Sequence, residues 1–430
     1  MSRFFYNKGW SLVIFLSLFP IPLWFLSNEP INSISILPDI GEILALVGIV
    51  IFAINFILAT RLSVIENLFN GLNNVYDKHN ILGQLALILL LFHPIFLIPK
   101  YSSNIKEAAQ FIFFSNVWAR NLGIFSLYLM IILIILTIYL RPKYNIWKLT
   151  HKVLGFAFLL GAIHAFTIPS VVMENKLLSA YIMLFCVLGI LSFLYRSIFS
   201  NFLVKTSKYT IEKIIKLNNS ITEITFKNVG KGINYLPGQF LFASFIQNGV
   251  SKESHPFSIT SAPEEENLKI AVKSLGDYTK DLNSKLVVGS QVFIEGPFGK
   301  FTYSNYKNKK QLWVAGGIGV TPFVSMAKNL IKNQDYQIVF FYCVRNIKEA
   351  VYKNVFEFIQ SKLPNSFKLQ MVYSDETGRA DADQILALVQ DSADRDIFIC
   401  APVLMIKGLR QGFIQKGINK SKIHSEEFSF

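Results

Sequence analysis

His79-Asn-Ile-Leu-Gly-Gln-Leu-Ala-Leu-Ile-Leu-Leu-Leu-Phe-His93 is an apolar run with a histidine at each end, and His151-Lys-Val-Leu-Gly-Phe-Ala-Phe-Leu-Leu-Gly-Ala-Ile-His164 repeats the arrangement. An ionisable side chain inside a membrane is expensive, and marks function by default. Four of the six histidines fall in these two stretches. At about 1.5 Å of rise per residue, their spacings put each pair roughly 20 Å apart along a helix, within a hydrocarbon core about 30 Å thick. Two such helices side by side present one histidine pair near each membrane face. That suits two haem groups, each held between two axial imidazoles. A solitary buried histidine is more simply a hydrogen-bonded core residue, but a matched set of four reads as ligands. At about 100° per residue, the first spacing nearly returns to one helix face and the second does not. The second stretch therefore needs a bend or a close haem contact, for which Gly155 and Gly161 are the candidates.

The chain has 430 residues, 52% of them hydrophobic, and the apolar residues concentrate before residue 200. Runs near 11–27, 41–60, 80–99, 122–140, 151–170 and 178–200 predict six membrane-spanning helices. The first reads as a span rather than a cleaved leader, because no small-residue cleavage site follows it. The net charge of +14 is dispersed and does not form the blocks of a nucleic-acid binder. Arg3, Lys8, Arg61, Lys78, Arg141, Lys143, Lys148, Arg196, Lys205 and Lys208 fall on one side of the spans. Lys100, Lys106, Arg120 and Lys176 fall on the other. The positive-inside rule then puts both termini in the cytoplasm, with His79 and His151 near the inner face and His93 and His164 near the outer face. Arg61 and Arg120 are either partners for haem propionates or snorkelling surface arginines. Cys186, Cys343 and Cys400 are too few for a disulfide framework or a four-cysteine iron–sulfur module.

Beyond residue 201 charged residues appear, and β-rich runs at 220–226, 239–245, 268–273 and 291–295 predict a small antiparallel β-barrel. From about residue 309 strands alternate with helices, the pattern of a doubly wound α/β nucleotide fold. The domain boundaries expected are 1–205, 206–306 and 307–430. Val314-Ala-Gly-Gly-Ile-Gly-Val-Thr-Pro-Phe323 runs from strand to helix. Gly316, Gly317 and Gly319 let backbone amides approach a pyrophosphate there, with Thr321 as helix cap and Pro322 in the first turn.

The ordered set His255-Pro-Phe-Ser-Ile-Thr260, Lys273-Ser-Leu-Gly-Asp-Tyr-Thr279, Gly296-Pro-Phe-Gly299, the glycine turn and Ile399-Cys-Ala-Pro402 resembles the ferredoxin-reductase-type flavin and nicotinamide module. With paired membrane histidines ahead of it, the chain resembles the ferric reductase and NADPH oxidase superfamily. The resemblance implies that His255 and Thr260, flanking Pro256 and Phe257, contact the phosphate region of FAD, and that Ser258 hydrogen-bonds near flavin N5. Lys273, Gly276 and Thr279 would meet the same phosphates. Gly316, Gly317, Gly319 and Thr321 would hold the nicotinamide dinucleotide, with Arg345 near its adenosine end and Cys400 and Pro402 near the nicotinamide. Phe428, or failing it Phe430, matches the aromatic that covers the flavin ring. The family usually has glycine where Ala401 stands. No 2′-phosphate motif is visible, so NADPH over NADH comes from the family alone.

The resemblance implies electron transfer from NADPH or NADH through FAD and two b-type haems to an acceptor beyond the membrane. Loops near 28–40, 100–120 and 168–177 hold no cluster of metal ligands, which tilts the acceptor towards O2 and the product towards superoxide. A ferric-chelate reductase and an electron-transfer subunit feeding a partner protein remain alternatives. Without an EF-hand loop or docking tail, activity is expected to need no protein activator. The expected setting is the cell membrane, with the flavin and nicotinamide domains cytoplasmic and no nucleic-acid partner.

Overall fold

The computed structural model describes residues 8–26, 36–101, 104–140, 142, 144–333 and 335–427. Arg3, Arg141, Lys143, Phe428 and Phe430 lie outside the described residues. The chain divides into two compact units, Met1–Val204 and Lys205–Phe430.

The first unit contains six helices long and apolar enough to cross a membrane: Lys8–Phe25, Ile36–Leu58, Leu72–Lys100, Trp118–Ile135, Ile146–Thr167 and Lys176–Ile198. The second span packs along the third and sixth, and the fourth along the fifth. Small residues let these backbones approach, as in membrane helix pairs generally. A Cβ added to Gly48 would come within 2.9 Å of Leu90 on the third span. Gly161 faces Ser126, whose hydroxyl donates to the Ala157 carbonyl at 2.7 Å.

The fifth span is interrupted once, between helices Tyr144–Lys152 and Leu154–Thr167. At the break the Val153 N–H reaches the Thr150 carbonyl, three residues back, at 3.0 Å. This tighter turn changes the helical phase between His151 and His164. The interruption of the helix therefore falls at Val153. Gly155 instead lets the Phe193 ring of the sixth span lie against the backbone.

The second unit holds two sheets. Strands β1 (Ser207–Lys216), β2 (Ile221–Asn228), β3 (Phe240–Ile246), β4 (Ser254–Ser258), β5 (Leu268–Lys273) and β6 (Gln291–Phe298) form an antiparallel sheet in the order β4-β3-β6-β1-β2-β5. Its ends approach through an isolated bridge between Ile259 and Ile270. The sheet thus rolls around Ile224, Phe226, Leu241, Phe245, Ile270 and Val292 without becoming a closed barrel.

Strands β7 (Lys310–Gly316), β8 (Gln337–Val344), β9 (Phe367–Tyr373), β10 (Asp396–Cys400) and β11 (Ile423–Glu426) form a parallel sheet in the order β11-β10-β7-β8-β9. All five residues of β10 are buried, as expected for a parallel strand covered on both faces. Helices Thr321–Leu330, Lys353–Lys362 and Val403–Gln415 follow β7, β8 and β10. The strand order reverses between β7 and β10, where such sheets open a ligand crevice at their carboxyl ends.

Candidate functional site

In the membrane unit, backbone carbonyls orient three of the four histidines. Nδ1 of His79 lies 3.0 Å from the Asn55 carbonyl, Nδ1 of His93 2.8 Å from that of Gly41, and Nδ1 of His164 2.7 Å from that of Ala119. A carbonyl only accepts, so each Nδ1 carries the proton and each Nε2 keeps its lone pair. Metal-binding histidines are prepared in this way. His151 differs: its Nδ1 is buried with no hydrogen-bond partner among the described residues, and its ring stacks on Trp147 at 5.2 Å.

The His79 and His151 rings lie 6.1 Å apart, centroid to centroid. Two imidazoles sharing one metal through nitrogens at about 2 Å each need roughly this separation. His93 and His164 line a cavity of about 420 Å³ together with Leu46, Phe52, Met130 and Phe158. Gly123 lies against the His164 ring, where a Cβ would come within 2.9 Å of it. Glu42, Lys100 and Arg120 also line the cavity. Arg120 donates to Gln110 Oε1 at 2.8 Å and lies over the Phe111 ring, while Arg61 donates to the Tyr76 hydroxyl at 2.6 Å. The imidazole pairs, the three Nε2 atoms left with lone pairs and the apolar cavity fit a porphyrin iron as resident group.

In the second unit, His255 on β4 stacks on Tyr278 at 3.9 Å and donates to Glu253 Oε2 at 2.8 Å. Pro256 and Phe257 continue β4, paired with Phe242 and Leu241 of β3. At the end of β4, the Ser258 hydroxyl is buried and has no hydrogen-bond partner among the described residues. The buried Thr260 donates its N–H to the Lys269 carbonyl at 2.8 Å. Lys273 ends β5, and Gly276 precedes helix Asp277–Lys285. The Thr279 hydroxyl accepts from the N–H groups of Leu275 and Gly276 at 2.9 and 3.0 Å, which fixes this helix start.

The glycine turn at the end of β7 divides its duties. Gly316 faces Ala401, where a Cβ would lie 2.7 Å from the alanine methyl, and Gly319 faces the Cys400 carbonyl. Both therefore seat β7 against the 400–402 segment. Gly317, at φ +53° with nothing near its Cβ position, is the one whose backbone is open to an incoming anion. Thr321 is not the cap: it is the first helical residue, and its hydroxyl donates to the Ile318 carbonyl at 3.0 Å. Pro322 stands in the first turn, as its missing N–H allows. Arg345 is exposed just beyond β8, and Pro402 opens helix Val403–Gln415.

Cys400 is fully buried at the end of β10, opposite the buried Glu426 of β11. Burial, reinforced by the Glu426 charge, pushes its thiol pKa well above the ordinary cysteine range. The features that sequence reading passed over are the orienting carbonyls and Gly123. Glu426 is the acid of the closing acid, spacer, aromatic pattern, two residues before Phe428.

Residues 44–162 match the family described as ferric reductase like transmembrane component, 206–302 a FAD-binding domain, and 313–411 an oxidoreductase NAD-binding domain. Flavohemoprotein A of Dictyostelium discoideum is 26% identical over 241 residues, 52% of this chain and 60% of that protein. Dual oxidase 2 of Rattus norvegicus is 31% identical over 135 residues, 30% of this chain and 9% of that protein. The chain thus spans less than two thirds of the length of either relative. A crystal structure of flavohemoglobin from Malassezia yamatoensis with bound FAD and heme aligns with a TM-score of 0.51 and 17% identity, covering 93% of this chain and 100% of that one, a likeness of fold alone. By its three successive domains, this chain belongs to the ferric reductase and NADPH oxidase superfamily.

Proposed function

We propose that this protein moves electrons from cytoplasmic NAD(P)H across a membrane to O2 on the outer face, releasing superoxide. The observation that carries the reading is the two-tier histidine set, with three Nδ1 atoms committed to carbonyls. When bound, nicotinamide, FAD and two b-type haems supply hydride transfer followed by one-electron transfer.

The protein's residues position these groups. His79 and His151 would hold the inner haem, and His93 and His164 the outer one. The unpartnered Ser258 hydroxyl would hydrogen-bond the flavin edge. The Gly317 backbone would meet the nicotinamide dinucleotide's pyrophosphate, with Cys400 and Pro402 beside the nicotinamide and Arg345 towards the adenosine. Lys273 and Gly276 would serve the flavin phosphates. Phe428, or else Phe430, would cover the flavin ring.

The cytoplasmic placement of the second unit rests on the excess of Lys and Arg at one end of the spans. O2 is favoured as acceptor because the His93–His164 cavity is lined mostly by apolar side chains, with Arg120 and Lys100 to attract an anionic product. A ferric chelate is the second reading, since the same two cations would attract an anionic complex. Delivery of electrons to a partner protein is the third. No protein activator is required in this scheme.

The test is NADPH- or NADH-driven cytochrome c reduction by purified, FAD-supplemented protein, with and without superoxide dismutase. Strong inhibition by the dismutase supports O2 as acceptor. Insensitivity assigns the electrons to a metal or protein acceptor, and little turnover in isolation favours the partner-protein reading.

A further inference from the structure

Resting on this electron-transfer reading, we propose that the nucleotide site selects NADH over NADPH, and that Asp375 is the residue that does so. Dinucleotides lie across the carboxyl edge of a parallel sheet with the pyrophosphate at the glycine turn. Here the turn ends β7, and its Gly316 and Gly319 are pressed against Cys400, Ala401 and Pro402 on the β10 side. On the other side, β8 and β9 end level, Val344 opposite Tyr373. The adenosine half therefore extends over the lip where these two strands end.

At that lip the chain holds a carboxylate in place. The Asp375 N–H donates to the Arg345 carbonyl at 3.1 Å, and Asp375 Oδ2 accepts from the Asn346 amide at 3.1 Å. Asn346 is itself fixed, because its Oδ1 accepts the Lys348 N–H at 3.2 Å. Asp375 is exposed, and Glu376 beside it adds a second negative charge. A carboxylate at a strand end in such folds accepts from the ribose 2′-hydroxyl of NADH, whereas a 2′-phosphate is accommodated by an arginine. The Asn346 amide is committed to Asp375, so what the bracket offers a ribose is an acceptor. A 2′-phosphate would bring like charges together there. Arg345 and Lys348 stand at the same edge, and the Arg345→Ala variant separates the arginine's contribution from that of Asp375.

Calorimetric titration of the full-length, FAD-loaded protein with ADP-ribose and with 2′-phospho-ADP-ribose tests the assignment, alongside anaerobic bleaching of the flavin by NADH and by NADPH. ADP-ribose should bind about tenfold more tightly, roughly the effect of one close charge contact at a surface. Asp375→Arg should abolish or invert that ratio, while Arg345→Ala weakens both ligands alike. Equal binding, or tighter binding of the 2′-phosphorylated ligand, by the unaltered protein overturns the proposal. So does a preference that survives Asp375→Arg and disappears in Arg345→Ala. Flavin bleached equally by both nucleotides at limiting concentration overturns the proposal and leaves the electron-transfer reading standing. Flavin bleached by neither removes the electron-transfer reading, and this assignment with it.

Discussion

His93 Nδ1 lies 2.8 Å from the carbonyl oxygen of Gly41, on a different span. The same second span supplies the Asn55 carbonyl to His79. Asn55 and Gly41 are fourteen residues apart, as are His79 and His93, and the two helices run in opposite directions. Equal rise per residue along both helices keeps the two contacts in register. A helix without a histidine thus fixes the tautomer of one histidine in each pair.

Removing His93 should separate the two proposed haem sites. His93→Ala is expected to lower haem content to about half, because the remaining pair does not depend on it. Flavin reduction by the nicotinamide should persist while transfer to an external acceptor stops. Haem extraction and quantification, with the reduced spectrum, checks this; full haem content would refute the ligand assignment.

Gly123→Ala places a methyl within 2.9 Å of the His164 ring. The ring must turn from its bond to Ala119, so the outer haem should load less completely than the inner one. Gly123→Val should do so more strongly. The reduced haem spectrum, resolved by redox titration, reads the outcome.

The glycines of the β7 turn should differ in what they tolerate. In Gly319→Ala the new methyl meets the Cys400 carbonyl, a backbone atom that cannot swing aside, and a loss of about 3 kcal/mol is expected. Gly317→Ala meets no neighbour and costs about 1–2 kcal/mol, from its left-handed backbone alone. Denaturant unfolding of the two variants should rank them in that order.

Asp391 accepts two hydrogen bonds from Arg395, at 2.6 and 3.0 Å, and that pairing holds its pKa below the ordinary aspartate value. A carboxylate lowered in the folded state stabilises above its unfolded pKa of about 4, and the gain fades as the pH drops below that. Asp391 is 37% exposed, so Asp391→Asn should cost no more than about 1 kcal/mol at pH 7. The difference from the unaltered protein should shrink as unfolding is measured at progressively lower pH through the acid range.

Periodic, local features were legible in the sequence. Apolar run length announced six spans, and alternating patterns gave an antiparallel sheet followed by a parallel one. The histidines stood out because imidazoles are costly among leucines. Contacts made across the chain were not legible. The break at Val153 arises from a backbone hydrogen bond that β-branched valine does not advertise. The orienting carbonyls belong to no residue type, so no motif reports them. Thr321 followed a glycine turn as a cap would, yet the helix begins on it. Asp375 sits in a loop with no periodicity, and acquires its neighbours only when β8 and β9 lie side by side.

A methyl at Gly316 would lie 2.7 Å from that of Ala401, too close for both to be present. The methyl of Ala401 is therefore permitted by the glycine 85 positions earlier. The two sites are epistatic: a lineage that gained a methyl at 316 while keeping the one at 401 would lose the close approach of β7 to β10. Glycine at 401 would not by itself admit a methyl at 316, because Met405 Sδ and Pro402 Cδ would still lie 2.8 and 3.0 Å from it.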